Sequence, residues 1–133
     1  MSQQNIEIIR AMVEAFNRDD VDDVVAAFAE DCELYEPPEM PDRLALGFRG
    51  YEGIREWMGK LRGIANVRFE PQGFSVSGDV IVSEWTARGR GQTGGVPINW
   101  TTFTVLQMRE GKIARAEAFL TLSEALEAAG LSE

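Results

Sequence analysis

Glu36 is the residue in this chain best suited to chemistry. It ends a short β-type run, residues 32–36, directly before Pro37-Pro38. The chain contains no histidine and one cysteine, Cys32. Serine–histidine and cysteine–histidine nucleophiles are therefore excluded, as are zinc sites that need imidazole and clusters that need several thiolates. Acid–base work falls to carboxylates, tyrosine, lysine, arginine or water. A carboxylate that faces an apolar pocket has a raised pKa and suits proton abstraction next to a carbonyl. The structural alternatives are a glutamate exposed at a rim, or one paired with Arg49 or Arg55. Asp19, Asp20, Asp22 and Asp23 have the composition of a calcium loop, but the glycine and closing glutamate of an EF-hand are missing. Carboxylates that start a helix explain them.

The walls around Glu36 follow from strand alternation. Residues 89–120 hold two β-type runs around a turn at Arg109-Glu110-Gly111-Lys112, with Gly111 supplying the positive φ that such a turn often needs. If Thr104 faces the helices, so do Trp100 and Thr102, with Ala116, Ala118 and Leu120 across the hairpin. Trp57 and Trp85 complete an aromatic lining, and Tyr35 flanks Glu36. Each tryptophan also reads as ordinary core. Such walls suit a small hydrophobic or aromatic ligand. Arg88 and Arg90 stand as possible anion-attracting rim groups or as solvated edge charges.

The elements that must hold these residues read in order. Ile6, Ile9, Val13 and Phe16 mark one face of a first helix. Asp20 caps a second, which carries Val21, Val24, Val25 and Phe28 and ends at Glu30-Asp31. The strand at 32–36 leads to a long loop, residues 37–50, whose apolar members are Met40, Leu44, Leu46 and Phe48. A third helix spans 51–61, with Ile54, Trp57, Met58 and Leu61 on one face. Strands at 67–72 and 74–77 turn at Ser77-Gly78-Asp79 into a run at 80–88, and Gly94-Gly95 links that run to the final hairpin. Ser123 caps a short helix over 124–129, stopped by Gly130. Helices precede a run of strands, so the class is α+β, in one domain spanning 1–133. A twisted sheet with helices across one face makes a half-barrel with a pocket between the layers.

Composition bounds the partners. Thirteen Lys and Arg against 22 Asp and Glu give a net charge of -9, which opposes nucleic-acid and membrane binding. The single cysteine and the absence of a basic, apolar leader predict a cytoplasmic protein. No glycine-rich nucleotide loop follows a strand, so no cofactor is expected.

Several stretches resemble a family. Ala15-Phe16-Asn17-Arg18-Asp19-Asp20-Val21-Asp22, then Phe28-Ala29-Glu30-Asp31, then Glu36-Pro37, are similar to the opening of SnoaL-like proteins in the nuclear transport factor 2-like superfamily. Gly47-Phe48-Arg49-Gly50 with Ile54 resembles the family's entry to its third helix. Arg109-Glu110-Gly111-Lys112-Ile113 resembles its last hairpin, and residues 124–131 a common C-terminus. The resemblance implies a cone-shaped half-barrel of curved antiparallel or mixed sheet, with three N-terminal helices on its concave face. It also implies a pocket between those layers and, in many members, a homodimer through the convex faces.

The superfamily's enzymes include ketosteroid isomerases, polyketide cyclases and limonene-epoxide hydrolases. Compared with the isomerase pattern, Glu36 stands at the base position, Met12 at that of the oxyanion-hole tyrosine, and Thr104 near that of the oxyanion-hole aspartate. The hydrolase triad falls near Trp85, Ala87 and Ala118, none of which activates water. No aspartate matches the cyclase acid–base position, and the nearest carboxylate is Glu117. No known constellation is complete.

Two readings stay open: a pocketed binding protein without turnover, or an isomerase- or cyclase-type enzyme that uses Glu36 on a carbonyl-bearing or polycyclic substrate. The dimer expectation rests on Thr101, Phe103, Val105, Ile113 and Phe119, which alternation sends to the convex face. The helices are committed to the concave side, so nothing else in the sequence is expected to cover them.

Overall fold

The computed structural model describes residues 2–39, 47–91 and 94–131. Met40, Leu44 and Leu46, taken as apolar members of the long loop, lie outside them. The amphipathic pattern of the N-terminus folds as α1 (Ser2–Asn17), with Ile9, Val13 and Phe16 buried. Asp20 caps α2 (Val21–Ala26), accepting from the Asp23 N–H at 3.1 Å. Helix α2 is shorter than its spacing predicts. Phe28, Glu30 and Asp31 belong instead to β1 (Phe28–Tyr35), which begins four residues earlier than expected and stops at Tyr35 rather than Glu36. Phe28 is buried in either conformation, so periodicity alone does not separate the two.

After Pro37 and Pro38 the chain forms a two-residue strand, β2 (Phe48–Arg49), and then α3 (Gly50–Ile64), which buries Ile54, Trp57, Met58 and Leu61. Four long strands follow: β3 (Ala65–Ser77), β4 (Val80–Gly91), β5 (Pro97–Arg109) and β6 (Lys112–Phe119). The two runs expected at 67–72 and 74–77 are one strand with an irregularity between Pro71 and Gly73. Gly89 lets β3 and β4 approach, since a Cβ there would lie 1.9 Å from the Asn66 carbonyl oxygen. The last hairpin turns through Glu110 and Gly111, both at positive φ.

The sheet order is β2-β1-β6-β5-β4-β3, antiparallel except for the parallel β1–β6 pair. Helices α1 to α3 pack on its concave face and enclose the main core. Among the described residues, no helix is long and apolar enough to cross a membrane.

Three expectations about the last helix and the other face are corrected. A fourth helix, α4 (Leu122–Ala128), is capped by Thr121 rather than Ser123. The Thr121 hydroxyl accepts from the Glu124 N–H at 3.2 Å and donates to the Glu124 carboxylate at 2.9 Å. That helix lies on the convex side, where Ala125 packs with Val82 and Val105, and Leu126, Phe103 and Phe119 are partly buried around that cluster. The convex face therefore has a cover of its own over Val105. Ile113 also leaves that face, because a bulge between Gln107 and Met108 pairs Met108 with Ile113. The shifted register turns Ile113, fully buried, into the main core.

The edge strand β3 is tied to α1 by one side chain. The Asn17 amide donates to the Phe69 carbonyl at 3.0 Å, and its oxygen accepts from the Phe69 N–H at 2.9 Å. Both backbone groups belong to an unpaired sheet edge and need a partner. Asn17→Ala is expected to lower unfolding free energy by about 1–3 kcal/mol, read by urea denaturation. No loss would show that solvent satisfies that edge equally well.

Candidate functional site

Alternation along β5 directs Trp100, Thr102 and Thr104 toward the helices, and the pairing carries that face across the sheet. Thr104 lies opposite Ala118 on β6 and Ser83 on β4, and Thr102 lies opposite Trp85. Together with Met12 of α1 and Trp57 of α3, these residues close a cavity of about 30 Å³, within an envelope of about 440 Å³ once its open mouth is included. The enclosed part has room for about two waters or a few ligand atoms. Phe28, Leu34, Phe69 and Ala116 complete the walls.

Of the residues proposed from sequence, Met12, Tyr35, Glu36, Trp57, Trp85, Trp100, Thr102, Thr104 and Ala118 all line this cavity. Leu120 does not. It follows the end of β6, is 40% exposed, and lines an outer depression with Pro37 and Pro38. Phe28, Leu34 and Phe69 were not singled out as lining residues. Leu34 and Phe69 carry the same period-two signal as β5: Leu34 is two residues before Glu36, and Phe69 alternates with Arg68 and Glu70. Arg88 and Arg90 are exposed and line no part of the cavity, and Arg90 donates to the Gly95 carbonyl at 3.1 Å.

Glu36 belongs to both spaces, the inner cavity and the outer depression of about 320 Å³. It is half-buried, and its carboxylate accepts a hydrogen bond from the Trp57 indole N–H at 3.2 Å. The cations proposed as partners are engaged elsewhere. Arg55 reaches Asp22 at 3.0 Å, and Arg49 reaches the Tyr35 hydroxyl at 3.3 Å and Glu33 at 3.8 Å. Loss of water around the carboxylate, only partly offset by the indole donor, pushes the Glu36 pKa up to about 7. Such a group exchanges protons readily near neutrality.

Tyr35 plays no such part. Its hydroxyl donates to the Glu33 carboxylate, and the Arg115 guanidinium lies 4.8 Å from its ring. That bond lowers the Glu33 pKa and raises that of Tyr35. Trp85 is fixed too: its N–H donates to the Ser83 hydroxyl at 2.9 Å, which donates to the Gly73 carbonyl at 2.8 Å.

The folded chain binds the Glu36 proton more tightly than the unfolded chain does. Its contribution to stability therefore declines as pH rises from about 4.5 through about 7, and is level above that. Glu36→Gln removes this decline. Relative to the wild type, the variant should gain on the order of 3 kcal/mol between pH 4 and pH 8, measured by denaturant unfolding at both values. A pH-independent difference would place Glu36 in solvent.

A family profile described as the SnoaL-like domain matches residues 9–116. An NTF2-like protein of unknown function from Burkholderia pseudomallei superposes with a TM-score of 0.76 at 22% identity, covering 93% of this chain and 95% of that one. TerC, co-crystallised with polyporic acid, gives 0.76 at 22% identity, covering 93% and 96%. A protein of ketosteroid isomerase-like fold from Catenulispora acidiphila, in complex with trimethylamine, gives 0.75 at 21% identity, covering 95% and 94%. Among curated proteins none matches this chain.

Proposed function

The chain belongs to the SnoaL-like domain family, and from that premise we propose that it binds a small hydrophobic or aromatic molecule in the concave cavity and its open mouth. We further propose that Glu36 acts there as a general acid/base on a carbonyl-bearing substrate. The observation that carries this reading is the carboxylate itself, set in an aromatic wall with, among the described residues, one indole donor and no cation. Two structural neighbours were crystallised with small molecules, polyporic acid and trimethylamine. The shared fold supports a similar use of the space here.

The chemistry needs few parts. The carboxylate form of Glu36 takes a proton from carbon next to a carbonyl, leaving an enolate, and the resulting carboxylic acid returns the proton to the same or a neighbouring position. Atoms balance without a cofactor. Ionisation near neutrality keeps both forms of Glu36 available. The indole N–H steadies the carboxylate while it is charged.

A second reading, binding without turnover, is supported by Met12. It lines the cavity where the isomerase pattern has a tyrosine donor, and its thioether donates no hydrogen bond. One experiment separates the two. Deuterium exchange at the methyl group of acetophenone, followed by NMR, should be accelerated by the protein, with a rate that rises with pH to a plateau above about 7. Glu36→Gln should lower it about 10²–10⁴-fold. Unchanged exchange in the variant would leave only the binding reading.

We also propose a homodimer through the part of the convex face that α4 leaves open. Thr101, Phe103 and Phe119 remain half-buried there in the single chain, and α4 already supplies the cover for Val105. A two-fold axis would set each patch on its own copy. Light scattering at micromolar concentration should give the mass of two chains for the wild type and of one for Phe103→Glu. A monomeric wild type would end the proposal.

A further inference from the structure

Arg68, Arg88 and Arg90 meet at one corner of the sheet, and strand pairing fixes their arrangement. Arg68 of β3 lies directly opposite Arg88 of β4, and Arg90 lies opposite Asn66. On its other side Arg88 pairs with Asn99 of β5. Val67, Phe69 and Ala87, which alternate with these residues, are buried in the main core. The three arginines and two asparagines therefore project from the convex face, where all five are exposed. Their corner lies at the far end of β4 and β5 from Val82 and Val105, which α4 covers.

Like charges directly opposite on neighbouring strands repel, and such a pair weakens a sheet unless something offsets it. Among the described residues no carboxylate lies within ion-pair distance of any of the three arginines. Glu70 and Glu84 share the face by register, and neither reaches them. Arg90 donates to the Gly95 carbonyl at 3.1 Å, which uses one guanidinium nitrogen and leaves the other donors open. Protection of a sheet edge accounts for Arg68 on β3, but β4 is an inner strand and Arg88 guards no edge. A general excess of basic residues does not account for them either, because the chain carries a net charge of -9.

Sheet geometry sets the spacing of these groups. Opposed residues have Cβ atoms about 5 Å apart, and residues two apart along a strand are separated by roughly 7 Å. Long side chains rooted on such a triangle can converge on one tetrahedral oxyanion, each offering a planar fork of N–H donors. The Asn66 and Asn99 carboxamides add neutral donors at the same corner. The charge of the whole chain repels an extended polyanion at long range, whereas a compact dianion meets mainly the local cations.

We propose that this corner is an anion site for a dianionic phosphate group, free or carried as the ester of a small molecule. The bound charge offsets the repulsion between Arg68 and Arg88. The site is separate from the concave cavity and does not depend on Glu36.

The test is a ¹H–¹⁵N NMR titration of the whole chain at pH 7.5 and low salt, with inorganic phosphate, glycerol 3-phosphate and acetate as probes. Phosphate should shift the amides of Arg68, Arg88 and Arg90 saturably, with a Kd on the order of 1 mM, and acetate should bind at least tenfold more weakly. Sodium chloride should weaken the phosphate binding progressively. Arg88→Gln and Arg68→Gln should each weaken it about tenfold, whereas Arg18→Gln, which changes an arginine already paired with Asp23, should leave it intact. A tighter fit of glycerol 3-phosphate would mark an ester as the occupant, and a tighter fit of phosphate the free ion; either supports the site. Urea unfolding supplies a second reading. Without phosphate, Arg88→Gln should be at least as resistant as the wild type, because it removes a repulsion, and tens of millimolar phosphate should reverse that order. Shifts that never saturate, acetate binding as well as phosphate, binding unchanged in both glutamine variants, or an unfolding order indifferent to phosphate would overturn the proposal. So would a short polyglutamate peptide that binds more tightly than phosphate, since it would assign the corner to an acidic protein partner.

Discussion

Phe16 lies with its ring 5.3 Å from Trp57 of α3 and 4.8 Å from Phe69 of β3, and Phe69 in turn lies 5.6 Å from Trp85 of β4. The Arg62 guanidinium is stacked 4.4 Å from the Phe16 ring. It donates to the Phe16 carbonyl at 2.7 Å and to the Val67 carbonyl, and it pairs with Asp19. A curved sheet with an apolar concave face must be covered, and this cluster fixes how the cover sits. It joins the end of α1, the turn into α2, helix α3 and the edge strand β3. Aromatic pairs favour tilted contacts of this kind, so the cluster sets where the Trp57 and Trp85 rings stand as walls. Glu36 takes its environment from that. The indole that meets its carboxylate belongs to the same tryptophan that packs on Phe16.

Much of this was legible in the residues themselves. Period-two alternation along β5 identifies Trp100, Thr102 and Thr104 as one face, because side-chain direction in a strand follows from backbone geometry alone. The helical face of Ile54, Trp57 and Met58 is equally direct. The position of Glu36 before two prolines puts it at a strand end, and the structure gives it the aromatic neighbourhood that a raised pKa requires.

What was not legible depends on register and on distant contacts. The run from Val24 to Phe28 satisfies helical spacing as well as the start of a strand, and pairing of Phe28 with Ile113 decides between them. The bulge that turns Ile113 inward leaves no local mark, since Ala114 is as acceptable in a regular strand. Thr121 and Ser123 are both good capping residues, and only the path of the chain out of β6 selects Thr121. The packing of α4 on the convex face escaped notice because a seven-residue helix carries too little periodicity to announce what it covers. Leu120 failed for a related reason: alternation holds only while the strand lasts, and β6 ends at Phe119.

The central claim is that the cavity holds Glu36 with its charge disfavoured and a single indole donor beside it. Its most direct test is a ¹³C NMR titration of the Glu36 side-chain carboxyl in the wild type and in Trp57→Phe. The account predicts a midpoint near 7 in the wild type, and a higher one in the variant, where the donor that favours the charged form is gone. A wild-type midpoint at the ordinary glutamate value of about 4.3, unmoved by loss of the indole, would contradict it.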